Sequence, residues 1–554
     1  MSTKQPSRDR GRDHGRGHFA ALTGAGAATL TSGGGLAELA ARAREAARTG
    51  YWARLVPLLC AVATATHLPS FARSVWSPDE GYLATQARML AGGGVLYDTV
   101  VDRKPPLLPW LYEAMFGLFG SLSLWPLRVL AIAAHVATAV FLASIARKRW
   151  GGRAGAAAGV FYLFVSIGLS PEDSQAATFE VFMLPATAAA VWFAERRDWA
   201  WAGALTAAAA LTKQTGGAVL FPVIWMLWRA VRRGRADWTD GAARLAFGFG
   251  LPVAVIALAT GPRDFFFWVV SGSSDYASAD GAWLDIVGRL FLNTGILAAA
   301  ALALLVVLAG GLRRGHRREA LQAARADSDL WVWLGASWLG VITGFHFFGH
   351  YYLQLVPPLV LLGTGAVARM SGGARWRPVM LYSALAAGVF CVLGFVWPNQ
   401  PLKHAQQVAT TVTRETTPSE TVLVWGMHPE MYWLSDRRPA TRYLTAGLLT
   451  NYAGGRGDKG VGVQEAVPNS WQVFSREMSR RLPEIVVDDS GSAPYRPADI
   501  APIRALLKAH YVEVGKDGTA VIYRLRDGQQ YASYGSNAPR SSPPSPSAGA
   551  STAP

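Results

Sequence analysis

Charge is scarce in this chain of 554 residues. Asp, Glu, Lys and Arg together make up 16% of it, against roughly 25% in soluble domains. Cysteine is scarcer still, at two residues, which excludes a disulfide scaffold and a cysteine-built zinc site. Cys60 and Cys391 both sit in apolar runs and read as small buried hydrophobes. No internal repeat is evident, and no cleavable signal peptide, because residues 1–50 are too basic and polar to hold an apolar core. What is abundant is apolar: hydrophobic residues reach 51%, with 21 Trp and 23 Phe, and mean hydropathy is +0.19. These figures exclude a disordered protein and argue against a soluble enzyme.

The net charge is +16, and the arginines fall in short clusters between apolar runs. That is the positive-inside pattern of a multi-span membrane protein, not the basic face of a nucleic-acid binder, so no nucleic-acid partner is expected. Residues 1–50 read as a disordered basic cytoplasmic arm, and 527–554, rich in Ser, Pro and Gly, as a disordered tail. Between them, apolar runs near the length of a membrane span fall at about 53–72, 127–146, 154–170, 180–195, 199–212, 217–231, 243–260, 288–311, 330–348, 352–370 and 379–397. Residues 105–120 (PPLLPWLYEAMFGLFG) are apolar but short, carry Glu113 and open on two prolines. Laid flat on the outer interface, they leave 17 Lys and Arg in inner loops against 6 in outer segments, which favours an inner N-terminus. The expected fold class is therefore mainly α. A polytopic transmembrane bundle covers 51–398, with an outer loop and interfacial helix at 73–126. A small extracytoplasmic α/β domain follows at 399–526. In it TVLVWG (421–426), EIVVDD (484–489) and TAVIYRL (519–525) read as strands and IRALLKAHY (503–511) as a helix, with no Gly-rich nucleotide loop. The expected location is the plasma membrane.

Four polar groups fall on the outer side of this topology. The loop after the first span, residues 76–110, opens on Asp79-Glu80 and closes on Asp102, Arg103 and Lys104. A carboxylate can take a proton from an attacking hydroxyl or amine, and Lys or Arg can hold a departing phosphate. Ser77-Pro78-Asp79-Glu80 is equally a good helix start. PEDSQAATFEVF (171–182) holds Glu172, Asp173 and Glu180 without a base. An acid at the start of a span faces either a cavity or water at a helix N-terminus. Lys213 is the sole base of LTAAAALTKQTGG; it either meets those acids or a lipid phosphate, or snorkels to the interface. His346, His350 and Tyr351 stand at the outer junction of two spans. A His pair at i, i+4 can bind a metal, but no third acidic ligand sits nearby in sequence, so hydrogen bonding to a sugar or phosphate fits better. Asp264, Asp275, Tyr276 and Asp280 are further candidates for the same cavity. Soluble nucleotide sugars are not made on that side, so a sugar donor there would be lipid-linked.

The run SPDEGYLATQARMLAGGGVLYDTVVDRKPPLLPWL resembles the first outer loop of the GT-C glycosyltransferases. Within them it is most similar to the dolichyl-phosphate-mannose–protein mannosyltransferase-like superfamily, which includes the bacterial aminoarabinose transferase. The matching residues are Asp79-Glu80, Ala87-Arg88-Met89-Leu90, Gly94, Tyr97, Lys104-Pro105-Pro106 and Leu118-Phe119-Gly120, followed by LTKQTG (211–216) and HYYLQLVPPL (350–359). The resemblance implies an inverting transfer from a polyprenyl-phosphate sugar, at the outer membrane face, to a lipid, glycan or protein acceptor. Asp79 would be the catalytic base or orient the acceptor, with Glu80 beside it, and Lys104 and Lys213 would contact the donor phosphate. Glu180 would match the second acidic position, with Glu172 and Asp173 as rivals. Arg103 is added as a phosphate contact on chemistry alone, and Tyr97 and Asp102 join the expected cavity. No cofactor is required, and a divalent cation stays open. Two other classes compete. A transporter or flippase of lipid-linked sugars predicts mid-span charges and inverted repeats. A non-catalytic membrane scaffold would tolerate the loss of Asp79.

Overall fold

The computed structural model describes residues 50–273, 283–314, 317–370, 375–452 and 460–527. The expected arm at 1–50 and tail at 527–554 thus lie almost wholly outside the described residues, as do Asp275, Tyr276 and Asp280. The chain divides into a unit ending at Leu58 and a second comprising Leu59–Pro554. Helix α1 (Trp52–Thr66) crosses that boundary in sequence, and every later element belongs to the second unit.

Helices α2 (Pro78–Ala91) and α3 (Leu107–Phe119) precede the long apolar helix α4 (Trp125–Trp150). Then come α5 (Gly152–Ser166), the single turn α6 (Pro171–Ser174), α7 (Phe179–Ala194), α8 (Trp199–Thr212), α9 (Leu220–Arg232), α10 (Trp238–Thr260) and α11 (Pro262–Val269). This half of the chain ends with α12 (Trp283–Ala300), α13 (Leu302–Arg314), α14 (Arg317–Ala326), α15 (Ser328–Ile342), α16 (Val356–Arg369) and α17 (Trp376–Val396). Among the described residues five helical runs are long and apolar enough to cross a membrane, and α1, α3 and α7 are shorter apolar helices. The outward faces fit lipid. On α17, Leu381, Leu385, Val389, Val392 and Val396 recur at three- and four-residue spacing and are all exposed, which is one stripe of a helix. Cys60 is exposed and Cys391 half-buried, so the expectation of two buried thiols fails: in a membrane protein an apolar run does not imply a protein-facing position.

Apolar length also misleads about where helices end. The expected span 288–311 is broken between α12 and α13 at Ala301. The expected span 330–348 stops at Ile342. Beyond it Gly344, Phe345 and Phe347 take φ values of 93°, 56° and 49°, reversals that apolar composition does not record. A 3-10 turn, Gly349–Leu355, then leads into α16. Helix α3 has 13 residues, roughly 20 Å at the α-helical rise, short of a ~30 Å hydrocarbon core.

The C-terminal region contains α18 (Gln400–Glu415), β1 (Thr421–Trp425), α19 (Glu430–Ser435), β2 (Arg438–Pro439), α20 (Ser470–Arg480), β3 (Ile485–Asp488), α21 (Ala501–His510), β4 (Tyr511–Asp517) and β5 (Ala520–Leu525). The sheet order is β2-β1-β3-β5-β4. β1 runs parallel to β2 and β3, with Val422 opposite Ile485, and β5 is antiparallel to β3 and β4. The three strands read from sequence are present. β2 and β4 were not legible, because β2 is two residues long and β4 is a mostly exposed edge strand with little apolar content.

Two devices position the loop that carries α2. The first is Glu80, which is fully buried together with Arg128 at the start of α4. One Glu80 oxygen accepts from the Trp76 amide at 2.7 Å and from Arg128 at 3.1 Å. The other accepts from the Ala177 amide at 2.8 Å. Arg128 also donates to the carbonyls of Ser70, Arg73 and Ser74. The second device is the C-terminal region, which packs on α2. Glu430 lies so close to Gly81 that any side chain there would collide with it. Arg88 donates to the Trp433 carbonyl and pairs with Asp436 at 2.9 Å. One apolar core runs through Leu90, Tyr97 and Val101 of the loop and Leu423, Trp425 and Val486 of the sheet.

Removing one partner of a buried ion pair leaves a desolvated charge, at a cost of about 3–5 kcal/mol. Glu80→Gln and Arg128→Ala are each expected to lower the melting temperature of the purified protein strongly. An unchanged melting temperature in both would contradict the structural role assigned to this pair.

Candidate functional site

Helix α2 begins with Pro78 in its first position, where its fixed φ and missing N–H cost nothing, and Asp79 in its second. The dipole of the helix N-terminus favours a carboxylate there. The Ser77 side chain makes no capping bond, and Glu80 reaches back to Trp76 rather than to the cap residue. The helix start read from Ser77-Pro78-Asp79-Glu80 is present, but Glu80 serves the Arg128 cluster and not the cap. The two adjacent acids consequently part company. Glu80 is enclosed, while the Asp79 side chain remains 37% exposed.

Asp79 faces His350, whose Nε2 lies 3.8 Å from Oδ2. On the far side of that ring, Nδ1 is 2.8 Å from Oδ1 of Asp173, which also accepts from the His350 amide at 2.9 Å. Asp173 reaches this backbone because residue 349 is glycine; a side chain at Gly349 would strike the Asp173 carboxylate. Phe348 stacks between His346 and His350, with centroids 5.5 Å and 5.8 Å apart, so buried His346 backs the ring.

The lysines arrive from two other elements. Lys213 ends α8, where the chain turns extended. It forms an ion pair with buried Glu180 on the first turn of α7, and its Nζ stands 4.0 Å over the Tyr351 ring. Lys104 Nζ stands 4.4 Å over Phe179. The Lys104 carbonyl accepts from the Tyr97 hydroxyl at 2.9 Å, and Tyr97 is itself buried with a φ of 69°. Asp79, Asp173, Glu180, Lys104, Lys213, His350 and Tyr351, taken from five separate stretches of sequence, therefore form one polar cluster. Glu172 is half-buried on α6 beside it. The Arg103 carbonyl accepts from Gln214 at 2.6 Å, and Asp264 lies on the first turn of α11. Sequence reasoning missed Arg128, Gln86, Gln214, Phe179 and Phe348. Only Arg128 carried a signal, as a charge at the edge of an apolar run.

The electrostatics follow from these neighbours. Enclosure alone would raise the pKa of Asp79, but Lys104, His350 and Lys213 more than offset it and hold the carboxyl below its ordinary value. Asp79 is thus ionised at neutral pH. Asp102 behaves oppositely. Burial raises it to about 6, against the pull of Lys104 and a hydrogen bond from Gln86, whose Nε2 is 3.3 Å away. Burial, then the neighbouring Asp173, also raises Glu172. Among the described residues no three His, Cys, Asp or Glu side chains converge as ligands of one metal ion; the acids of the cluster meet lysines and a histidine instead.

The raised Asp102 value has a sign. The folded state keeps this proton to a higher pH than the unfolded chain does. The associated stability is fully present below the unfolded value of about 4 and is lost as pH rises to about 6. Asp102→Asn is expected to remove that part of the fall in melting temperature between pH 4 and pH 6.5. An identical pH profile in the variant would contradict the assignment.

Comparisons with known proteins agree with this architecture. The family model of dolichyl-phosphate-mannose-protein mannosyltransferases matches residues 103–258, a stretch that includes Lys104, Asp173, Glu180 and Lys213 but neither Asp79 nor His350. Among curated proteins none matches the sequence. The structure is similar to apo ArnT from Cupriavidus metallidurans, with a TM-score of 0.57 over 86% of this chain and 98% of that one, at 17% identity. It is also similar to the apo oligosaccharyltransferase of Archaeoglobus fulgidus, with a TM-score of 0.50 over 87% of this chain and 75% of that one, at 12% identity. With its many helices, its small C-terminal sheet and these neighbours, the chain has the GT-C glycosyltransferase fold.

Proposed function

We propose that this chain is a membrane glycosyltransferase that moves a sugar from a polyprenyl-phosphate-linked donor to a hydroxyl or amine of a lipid, glycan or protein acceptor. The observation that carries the reading is Asp79, a partly exposed, ionised carboxylate in the field of two lysines, with a histidine as its nearest ion-pair neighbour. A cavity of about 400 Å³ supports a lipid-linked donor. It starts at Phe182, two residues after Glu180, and at Thr212, the residue before Lys213, and runs along α7 and α8 to Phe193 and Trp201 with almost wholly apolar walls. The cluster is assigned to the outer membrane face, with the N-terminus cytoplasmic and the C-terminal domain extracytoplasmic.

In this reading Asp79 takes a proton from the acceptor as its oxygen or nitrogen bonds to the anomeric carbon. The bond from that carbon to the phosphate oxygen breaks on the opposite side, so the configuration inverts. The electron pair leaves with the phosphate, whose growing charge Lys104 and Lys213 offset, with Arg103 beside them. Phosphate is already a good leaving group, so orientation and charge suffice. Asp173 and His350 position Asp79, and Glu180 positions Lys213. Glu80 holds the helix and takes no part in the chemistry.

Removing a general base typically costs 10²–10⁴ in rate. Asp79→Asn is expected to lose about that much transfer from polyprenyl-phosphate sugars while melting like the wild type. Lys104→Ala is expected to weaken use of the donor. Wild-type transfer by both variants would remove the assignment.

A further inference from the structure

The helices that carry the candidate site have opposite ends, and those ends enclose a second polar cavity of about 610 Å³. It lies where α4, α7, α9 and α16 finish and where α8 and α15 begin. Lys213 and Glu180 stand at the other ends of α8 and α7, so the two sites are separated by the length of the helices.

The cavity is organised from inside outward. Its three acids, Glu195, Asp327 and Asp329, have side chains only 5–6% exposed. They hold three arginines. Arg149 bonds to Glu195 at 2.6 Å and pairs with Asp329. Arg229 bonds to Ser328 at 2.9 Å and to Asp329 at 3.3 Å. Arg369 bonds to Asp327 at 2.6 Å. These carboxylates fix the guanidinium planes from behind. Four more cations, Lys148, Arg197, Arg233 and Arg235, stand around the opening, where all four are exposed. Among the described residues no carboxylate pairs with Arg233 or Arg235. Seven cations against three acids leave a surplus of four positive charges around one concavity. The rest of the wall is apolar, with Trp150, Trp199 and Met226.

Basic loops follow from the positive-inside rule alone. That rule does not account for buried acids presetting three arginines in a cavity with indole walls. We propose that this cavity binds the phosphodiester headgroup of an anionic phospholipid. The fixed arginines suit phosphate geometry. The rim supplies long-range attraction. The tryptophans suit the glycerol and upper acyl region at a membrane interface. The size is far beyond a lone phosphate and fits a headgroup. The source of the phosphate is committed to lipid because the cavity lies at the ends of apolar helices.

The test uses the full chain, purified in detergent and stripped of lipid. Melting temperature and retained lipid by native mass spectrometry are measured with phosphatidylglycerol, diphosphatidylglycerol, phosphatidylcholine or inorganic phosphate added. The two anionic lipids are expected to raise the melting temperature and stay bound, and phosphatidylcholine and inorganic phosphate to do neither. Each rim cation near an anionic surface is worth about fivefold in affinity, so the double variant Arg233→Ser/Arg235→Ser should bind phosphatidylglycerol about 25-fold more weakly. Arg414→Ser, on the exposed face of α18, should bind like the wild type. Equal effects of phosphatidylcholine and phosphatidylglycerol, or undiminished binding by the double variant, would overturn the proposal. A matching effect of inorganic phosphate alone would overturn its lipid source. Should the double variant melt early without ligand, Lys148→Ser read by lipid retention applies the same criterion.

Discussion

Glu80 and Arg128 form an ion pair with almost no access to solvent, and the loop that carries α2 takes its shape from that contact. A buried pair is weak ground for stability in general, because desolvation opposes the Coulomb gain. Here the remaining hydrogen-bonding capacity is spent on backbone groups. Glu80 takes the amides of Trp76 and Ala177, and Arg128 takes the carbonyls of Ser70, Arg73 and Ser74. One pair therefore fixes the approach to α2, the start of α4 and the segment before α7. Locking Glu80 inward turns its neighbour, one residue back on the helix, toward the polar cluster. The exposure of Asp79 follows from the burial of Glu80.

The rest of the cluster repeats this logic at smaller scale. Members of the cluster are held by one another and by their neighbours. Asp173 holds His350 by ring and backbone together. Glu180 holds Lys213, and Tyr97 and Gln214 tie down the carbonyls of Lys104 and Arg103. Both lysines rest on aromatic faces, which restrains a flexible side chain while leaving its positive charge in place. The C-terminal region completes the frame. Its close approach to Gly81 and its shared apolar core with the loop make α2 a helix packed from two sides. Preorganisation of this kind suits a reaction in which orientation and charge placement supply the rate.

Much of this was legible in the sequence, for identifiable reasons. Long apolar runs report directly on helices. The three inner strands announce themselves as Val-rich runs such as TVLVWG and EIVVDD. The cluster was legible as a set of candidate residues because acids and bases are rare in this chain, so those that occur near apolar runs stand out. The division of labour inside it was not legible. Nothing in Asp79-Glu80 says which acid is buried; that depends on Arg128, 48 positions away. Nor does the sequence couple Asp173 to His350, a contact across 177 positions that a glycine permits. Helix ends within apolar stretches were lost for a related reason. The reversals at Phe345 and Phe347 are backbone events, and their side chains look like any others in a span.

The central claim is that Asp79, Lys104 and Lys213 surround one reaction centre. The most direct measurement is the structure of this protein with a polyprenyl-phosphate sugar bound. Phosphate oxygens are expected within about 3 Å of both lysine nitrogens, with the anomeric carbon turned toward Asp79 and the lipid tail along the cavity between Phe182 and Trp201. A donor phosphate seated away from both lysines, or a sugar with no access to Asp79, would contradict it.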